Sequence, residues 1–190
     1  MIRAAYRFFE IAWLVLLFGN LSLQGVENDA APWSKPVNGI RGRLFVLLPD
    51  KAENPFCRVY VEFQNVENVL GQKKINFDLE KIQLKVINQD GTPLSSANEP
   101  YDGMKPLWKP MELPLDGAIR FRISFPGMGY SPGTKTIVDI EPPMTWMIPD
   151  NGSTYYLTGT FTVPRKERDQ SPMDWSGTLE FPRVEIPRGK

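Results

Sequence analysis

The sequence predicts an all-β protein of two packed antiparallel sheets, and three observations carry that prediction. Segment after segment alternates apolar and polar residues with a period of two. The one the others pack against sets Tyr155, Leu157, Phe161 and Val163 against Tyr156, Thr158, Thr160 and Thr162. The 18 prolines and 15 glycines suit the many turns that such short segments need. Beyond the first 25 residues no stretch holds a helical apolar period.

Residues 1–25 place Arg3 and Arg7 ahead of an apolar run from Ile11 to Phe18, then small and polar residues to Gly25. That is the layout of a secretory signal-peptide helix. The run is too short to cross a bilayer, which takes about 20 apolar residues. Cleavage near Gly25 is expected, leaving a short arm over 26–36 and one domain over 37–190. The location implied is secreted, or periplasmic at the cell envelope, with membrane contact only through an uncleaved leader.

The first strand is expected over Ile40–Leu48. Ile40, Gly42, Leu44 and Val46 share one face, and Arg41, Arg43, Phe45 and Leu47 the other. Both faces become apolar towards Leu47 and Leu48, so cover on both sides is expected there. Cys57, Val59, Val61 and Phe63 then oppose Arg58, Tyr60, Glu62 and Gln64, which makes a second half-buried strand.

Two short strands follow, one on Ile75, Phe77 and Leu79 and one on Ile82, Leu84 and Val86. Asn88-Gln89-Asp90-Gly91 predicts a hairpin turn, because Asp-Gly accepts positive φ. Residues 92–115 lose the alternation and hold five prolines, which predicts a long surface connection containing Tyr101 and Trp108.

Ile119, Phe121, Ile123 and Phe125 alternate with Arg120, Arg122 and Ser124 as a further strand. Thr136–Ile140 and Trp146–Ile148 are brief extended pieces separated by Pro142-Pro143. The strand over 154–163 is bounded by a turn at 150–152 and by Pro164. Arg165–Asp169 is a solvated tip. In the last strand Gly177, Leu179 and Phe181 share a face, but Val184 and Ile186 have changed parity. That shift predicts a bulge at Pro182 on an edge strand, since proline cannot donate to a ladder.

Charge and residue type exclude several functions. Lys plus Arg equals Asp plus Glu at 22 each, and loss of Arg3, Arg7 and Glu10 with the leader leaves 20 against 21. A net charge near −1 gives no footprint for nucleic acid or anionic lipid. With no histidine, Ser-His and Cys-His pairs and histidine-bound zinc are ruled out. Cys57, the single cysteine, sits on an inward face and is expected to be a buried structural thiol.

Gly129-Tyr130-Ser131-Pro132-Gly133 has the spacing of a nucleophile elbow. It lacks a histidine partner, and Pro132 has no N–H for the oxyanion, so it is read as a turn. Asp78 with Glu80, and Asp169 with Asp174, are read as solvated carboxylates and not as a catalytic pair. Asn88, Asp90, Asp150 and Asn151 lack calcium-loop spacing. No cofactor, metal or catalytic residue is expected.

Trp33, Trp108, Trp146 and Trp175, with Tyr101 and Tyr130, are the aromatic group with binding potential. Trp175 is expected in the core. Tyr101, Trp108 and Tyr130 are the candidate ligand-binding residues, since aromatic faces on loops can stack on sugar rings.

Val37–Leu44, Val59–Val66, the Asp90-Gly91 turn and Trp175–Leu179 together resemble the immunoglobulin-like modules of secreted bacterial proteins, especially those of planctomycetes, over roughly 33–187. The antibody-type disulfide is missing. The resemblance implies a two-sheet immunoglobulin-like sandwich and export, and leaves function open. The expectation is a monomeric, non-catalytic binding or structural module whose partner is an envelope protein or polysaccharide. A carbohydrate-binding module using the loop aromatics and a peptidase inhibitor using the 92–115 or 126–136 loop are the alternatives.

Overall fold

The computed structural model describes residues 31–48, 56–66, 73–78, 81–96, 111–124, 136–140, 144–165 and 173–188. The leader, most of the 92–115 connection, Gly129–Gly133 and most of the charged tip after Pro164 lie outside them. Within the described residues the chain is all-β with almost no helix. It forms β1 (Ile40–Leu47), β2 (Arg58–Asn65), β3 (Lys73–Ile75), β4 (Ile82–Asn88), β5 (Met111–Leu113), β6 (Ala118–Arg122), β7 (Ile137–Ile140), β8 (Met144–Met147), β9 (Tyr155–Val163) and β10 (Gly177–Glu185).

Two three-stranded antiparallel sheets, ordered β1-β2-β6 and β10-β9-β4, face each other. Two antiparallel ribbons, β3-β5 and β7-β8, complete the fold. Period-two patterning sets which side chains meet between the sheets. Val59, Val61 and Phe63 of β2 point inward, as do Leu157 and Phe161 of β9 and Leu179 and Phe181 of β10. Phe63 lies at the centre, with ring centroids 4.9 Å from Phe161, 5.6 Å from Phe77 and 6.2 Å from Phe181. Such tilted and edge contacts are the preferred geometry of aromatic pairs.

Two glycines make the close approaches possible. A Cβ on Gly42 would stand 2.7 Å from the Phe181 ring, and one on Gly159 would overlap the Gln83 carbonyl oxygen of β4. The bulge forms where the parity change predicts it, as a register shift between Phe181 and Val184 on an edge strand.

Several expectations are corrected. The 92–115 connection is not free of sheet structure, because Met111–Leu113 pair with Lys73–Ile75. Three residues carry no readable period, and it is the partner strand that extends them. Of the strand expected over Ile75–Leu79, Ile75 pairs in a ladder as the end of Lys73–Ile75, and among the described residues 76–78 do not, although Phe77 is still buried; Leu79 lies outside the described residues. The last strand begins at Gly177 and not at Trp175, whose backbone N–H donates to Lys74 O instead. Cover on both faces of β1 falls at Arg43 and Phe45, while Leu48 is 41% exposed.

Candidate functional site

The arm that precedes β1 is part of the fold. Asn38 and Gly39 both take positive φ, 48° and 81°, as a tight two-residue hairpin turn requires. Val37 and Ile40 exchange both backbone hydrogen bonds across it, at 2.8 and 3.0 Å. The arm therefore folds back along β1, where Ser34 N–H donates to Gly42 O and Gly42 N–H donates to the Ser34 hydroxyl. Trp175 locks the turn by donating its indole N–H to Val37 O at 2.7 Å. This return lays the Trp33 ring over the outward face of β1.

Register then assembles a surface from three strands. Arg41 opposes Gln64, Arg43 opposes Glu62, and Phe45 opposes Tyr60. On the far side of β2, Glu62 opposes Arg120 and Tyr60 opposes Arg122. The outward positions of the described β1, β2 and β6 thus gather five arginines, Arg41, Arg43, Arg58, Arg120 and Arg122, against one carboxylate, Glu62.

The guanidinium groups are stacked on rings. The Cζ atoms of Arg41 and Arg43 lie 4.5 and 4.2 Å from the Trp33 ring centroid, and those of Arg43 and Arg120 lie 4.5 and 4.3 Å from that of Phe45. Cation–π attraction holds such pairs, more strongly where water is excluded. Glu62, 8% exposed, accepts from Arg43 Nε at 2.6 Å and from Arg120 Nη2 at 3.4 Å. It neutralises one charge and fixes two side chains. Arg41 donates from Nε and Nη2 to Gln64 Oε1 at 2.9 and 2.6 Å. Arg122 Nε donates to the Ser124 hydroxyl at 3.2 Å, and that same oxygen accepts Val59 N–H at 3.0 Å. Rotamer freedom is thus already restricted before any ligand arrives: Arg43 is buried between Trp33 and Phe45, Arg41 is half-buried, and Arg120 and Arg122 are exposed.

Beside this face the arm and β10 leave a cleft of about 180 Å³ lined by Ala31, Pro32, Phe45, Val46, Arg183 and Glu185 among others. That is smaller than the roughly 300–1,000 Å³ usual for small-molecule sites. Arg183 stacks on Tyr156, with its Cζ 4.8 Å from the ring centroid.

Sequence reasoning did not single out this face. Tyr101, Trp108 and Tyr130, the predicted ligand-binding residues, lie outside the described residues. Trp146 and Trp175 are core residues, 1% and 2% exposed, and Trp33 alone of the described tryptophans reaches the surface. Of the oxygens considered for calcium, those of Asn88 and Asn151 are engaged in turns. Asn88 Oδ1 accepts from the N–H groups of Asp90 and Thr92, and Asn151 Oδ1 accepts from Ser153 N–H. Cys57 is buried as expected, and burial pushes its thiol pKa up to about 12. Two signals would have found the face: the Asn38-Gly39 dipeptide, a strong hairpin marker, and the paired Arg-x-Arg segments at 41–43 and 120–122 on outward parity.

No family model, curated protein or solved structure matches this chain.

Proposed function

We propose that this chain is an exported, non-catalytic, immunoglobulin-like sandwich that acts as a binding module at the cell envelope through the arginine face of β1, β2 and β6. The observation that carries this is the stack of Arg41, Trp33, Arg43, Phe45 and Arg120, in which a buried Arg43 and its two rings hold the more exposed Arg41 and Arg120 guanidinium groups in position. Preorganised groups lose less side-chain entropy when a partner arrives. The arginine-then-apolar leader supports export, and a chain without histidine supports binding over acid–base catalysis.

The test places a photo-reactive side chain at Ala118, at the exposed margin of the face, or at Thr162 on the opposite sheet, and irradiates the native envelope. Envelope material attached at position 118 and not at position 162 is the expected result. Equal attachment at both positions, or turnover by the pure protein that one carboxylate substitution abolishes, would sink the proposal.

A further inference from the structure

Resting on the binding role proposed above, we infer that the partner of this face is an acidic polysaccharide, a chain that repeats carboxylate or sulfate groups along its sugars. The face carries five arginines against one glutamate on its described outward positions, whereas the protein as a whole is neutral. Guanidinium forks bind carboxylates and tetrahedral oxyanions with two parallel hydrogen bonds, a match no other side chain offers. Residues two apart on a strand lie about 7 Å apart, and alternate strands about 9–10 Å apart. Arg120 and Arg122 of β6, both exposed, and Arg41 and Arg58 of β1 and β2, both half-buried, therefore spread guanidinium groups at spacings that a repeating polyanion can follow, while Arg43 is buried beneath them against Glu62.

The state of the rings separates this ligand from its rivals. Neutral sugars and unpaired nucleic-acid bases stack on open aromatic faces, whereas a duplex nucleic acid would meet guanidinium groups through its phosphates. Here Phe45 holds two guanidinium groups and is 4% exposed, Trp33 has two guanidinium groups against it, and Trp33 and Tyr60 are each half-buried, so the face offers more charge than open ring. Protein partners depend on apolar anchors seated in desolvated pockets, and the ring at the centre of this face is covered. A polymer that offers charge without needing a ring fits what remains, and at the envelope proposed above that polymer is a polysaccharide and not a nucleic acid.

The outward side of the other sheet provides an internal control. Its described positions mix Lys85, Glu180, Arg183 and Glu185 with Gln83 and a run of threonines. Opposite charges there cancel.

The experiment measures retention of the purified protein on immobilised polygalacturonate and dextran sulfate, with neutral dextran, poly-glutamate and duplex DNA as further arms. Retention on one or both acidic polysaccharides, none on dextran, and steep loss with added salt are expected. The Arg120→Ala/Arg122→Ala pair should weaken it by about tenfold or more, since two charge-assisted contacts are removed. Lys85→Ala should leave it unchanged. Thermal unfolding of each variant checks the fold. Should the double variant unfold, Arg122→Glu, a change at an exposed side chain, carries the same test.

Unchanged retention in a folded variant would overturn the inference, as would tighter binding to poly-glutamate or DNA than to either polysaccharide. Failure on both acidic polymers while position 118 still crosslinks in the envelope would reject the ligand class and leave the binding role standing. Failure of both would reject both.

Discussion

Two buried polar side chains give the residue scale its sharpest consequences. Cys57 is 1% exposed, and its thiol is raised from 9.0 to about 12 by desolvation. In the unfolded chain the thiol ionises near its ordinary value, so above about pH 9 the unfolded state sheds a proton that the folded state keeps. Stability should therefore fall between about pH 9 and 12, and Cys57→Ala should make that fall shallower. Denaturant titrations across this range measure it, and iodoacetamide should label the thiol only after unfolding. Glu62 is the second case. It sits under Arg43 and Arg120, and Glu62→Ala would leave the Arg43 guanidinium, 9% exposed, without its carboxylate. Removing one partner of a buried pair costs about 3–5 kcal/mol, which urea unfolding would register as a lower midpoint. An unchanged midpoint would mean that water already reaches Arg43. Residue type alone could place Cys57 inside, because its neighbours alternate. It could not place Glu62 there, because what covers a glutamate on an outward parity is decided by the strand beside it.

At the scale of elements, two glycines set the spacing of the sheets and of the strands within them. Gly42 admits the Phe181 ring from the facing sheet, and Gly159 admits the backbone of the neighbouring β4. A ring can pivot, whereas a carbonyl held in a ladder cannot move without breaking it. Gly42→Ala should therefore cost about 1–3 kcal/mol, the usual range for overpacking, and Gly159→Ala more than that. Thermal unfolding of the two variants checks the order, and a reversed order would show that β9 and β4 can separate. Strand existence and parity for β1, β2, β4, β6 and β9 follow from period two, as does the bulge at Pro182. The three-residue pairing of β3 with β5 is below the length at which any period can be read. The Asn38-Gly39 turn is legible in principle. Its meaning depends on whether the segment before it is long enough to pair, and Pro32 and Pro36 disguise that segment as a loop.

Across the whole molecule, equal totals of acidic and basic residues conceal how they are distributed. The net charge of zero is a sum over the entire chain, while the arginine face exists only because register places Arg43, Glu62 and Arg120 in one row and Arg41 and Arg122 on either side of it. Which strands adjoin is a long-range property that pattern along the chain does not contain, so the residues of the face were readable one by one and their union was not. The returning arm has a consequence of another kind. A strand at the border of a sheet, with N–H and C=O groups turned outward, is a template on which a second copy of the chain can build. Ser34 occupies that border at Gly42 through its backbone N–H and its hydroxyl. Ser34→Pro deletes the N–H donor and the hydroxyl acceptor that meet Gly42 and bends the arm away, so it should turn a single species in light scattering into one that self-associates as concentration rises. Unchanged scattering would assign that protection to another segment. Six residues ahead of the first strand would then be what keeps copies of this protein from adding to one another, a form of colloidal insurance built into the sheet border.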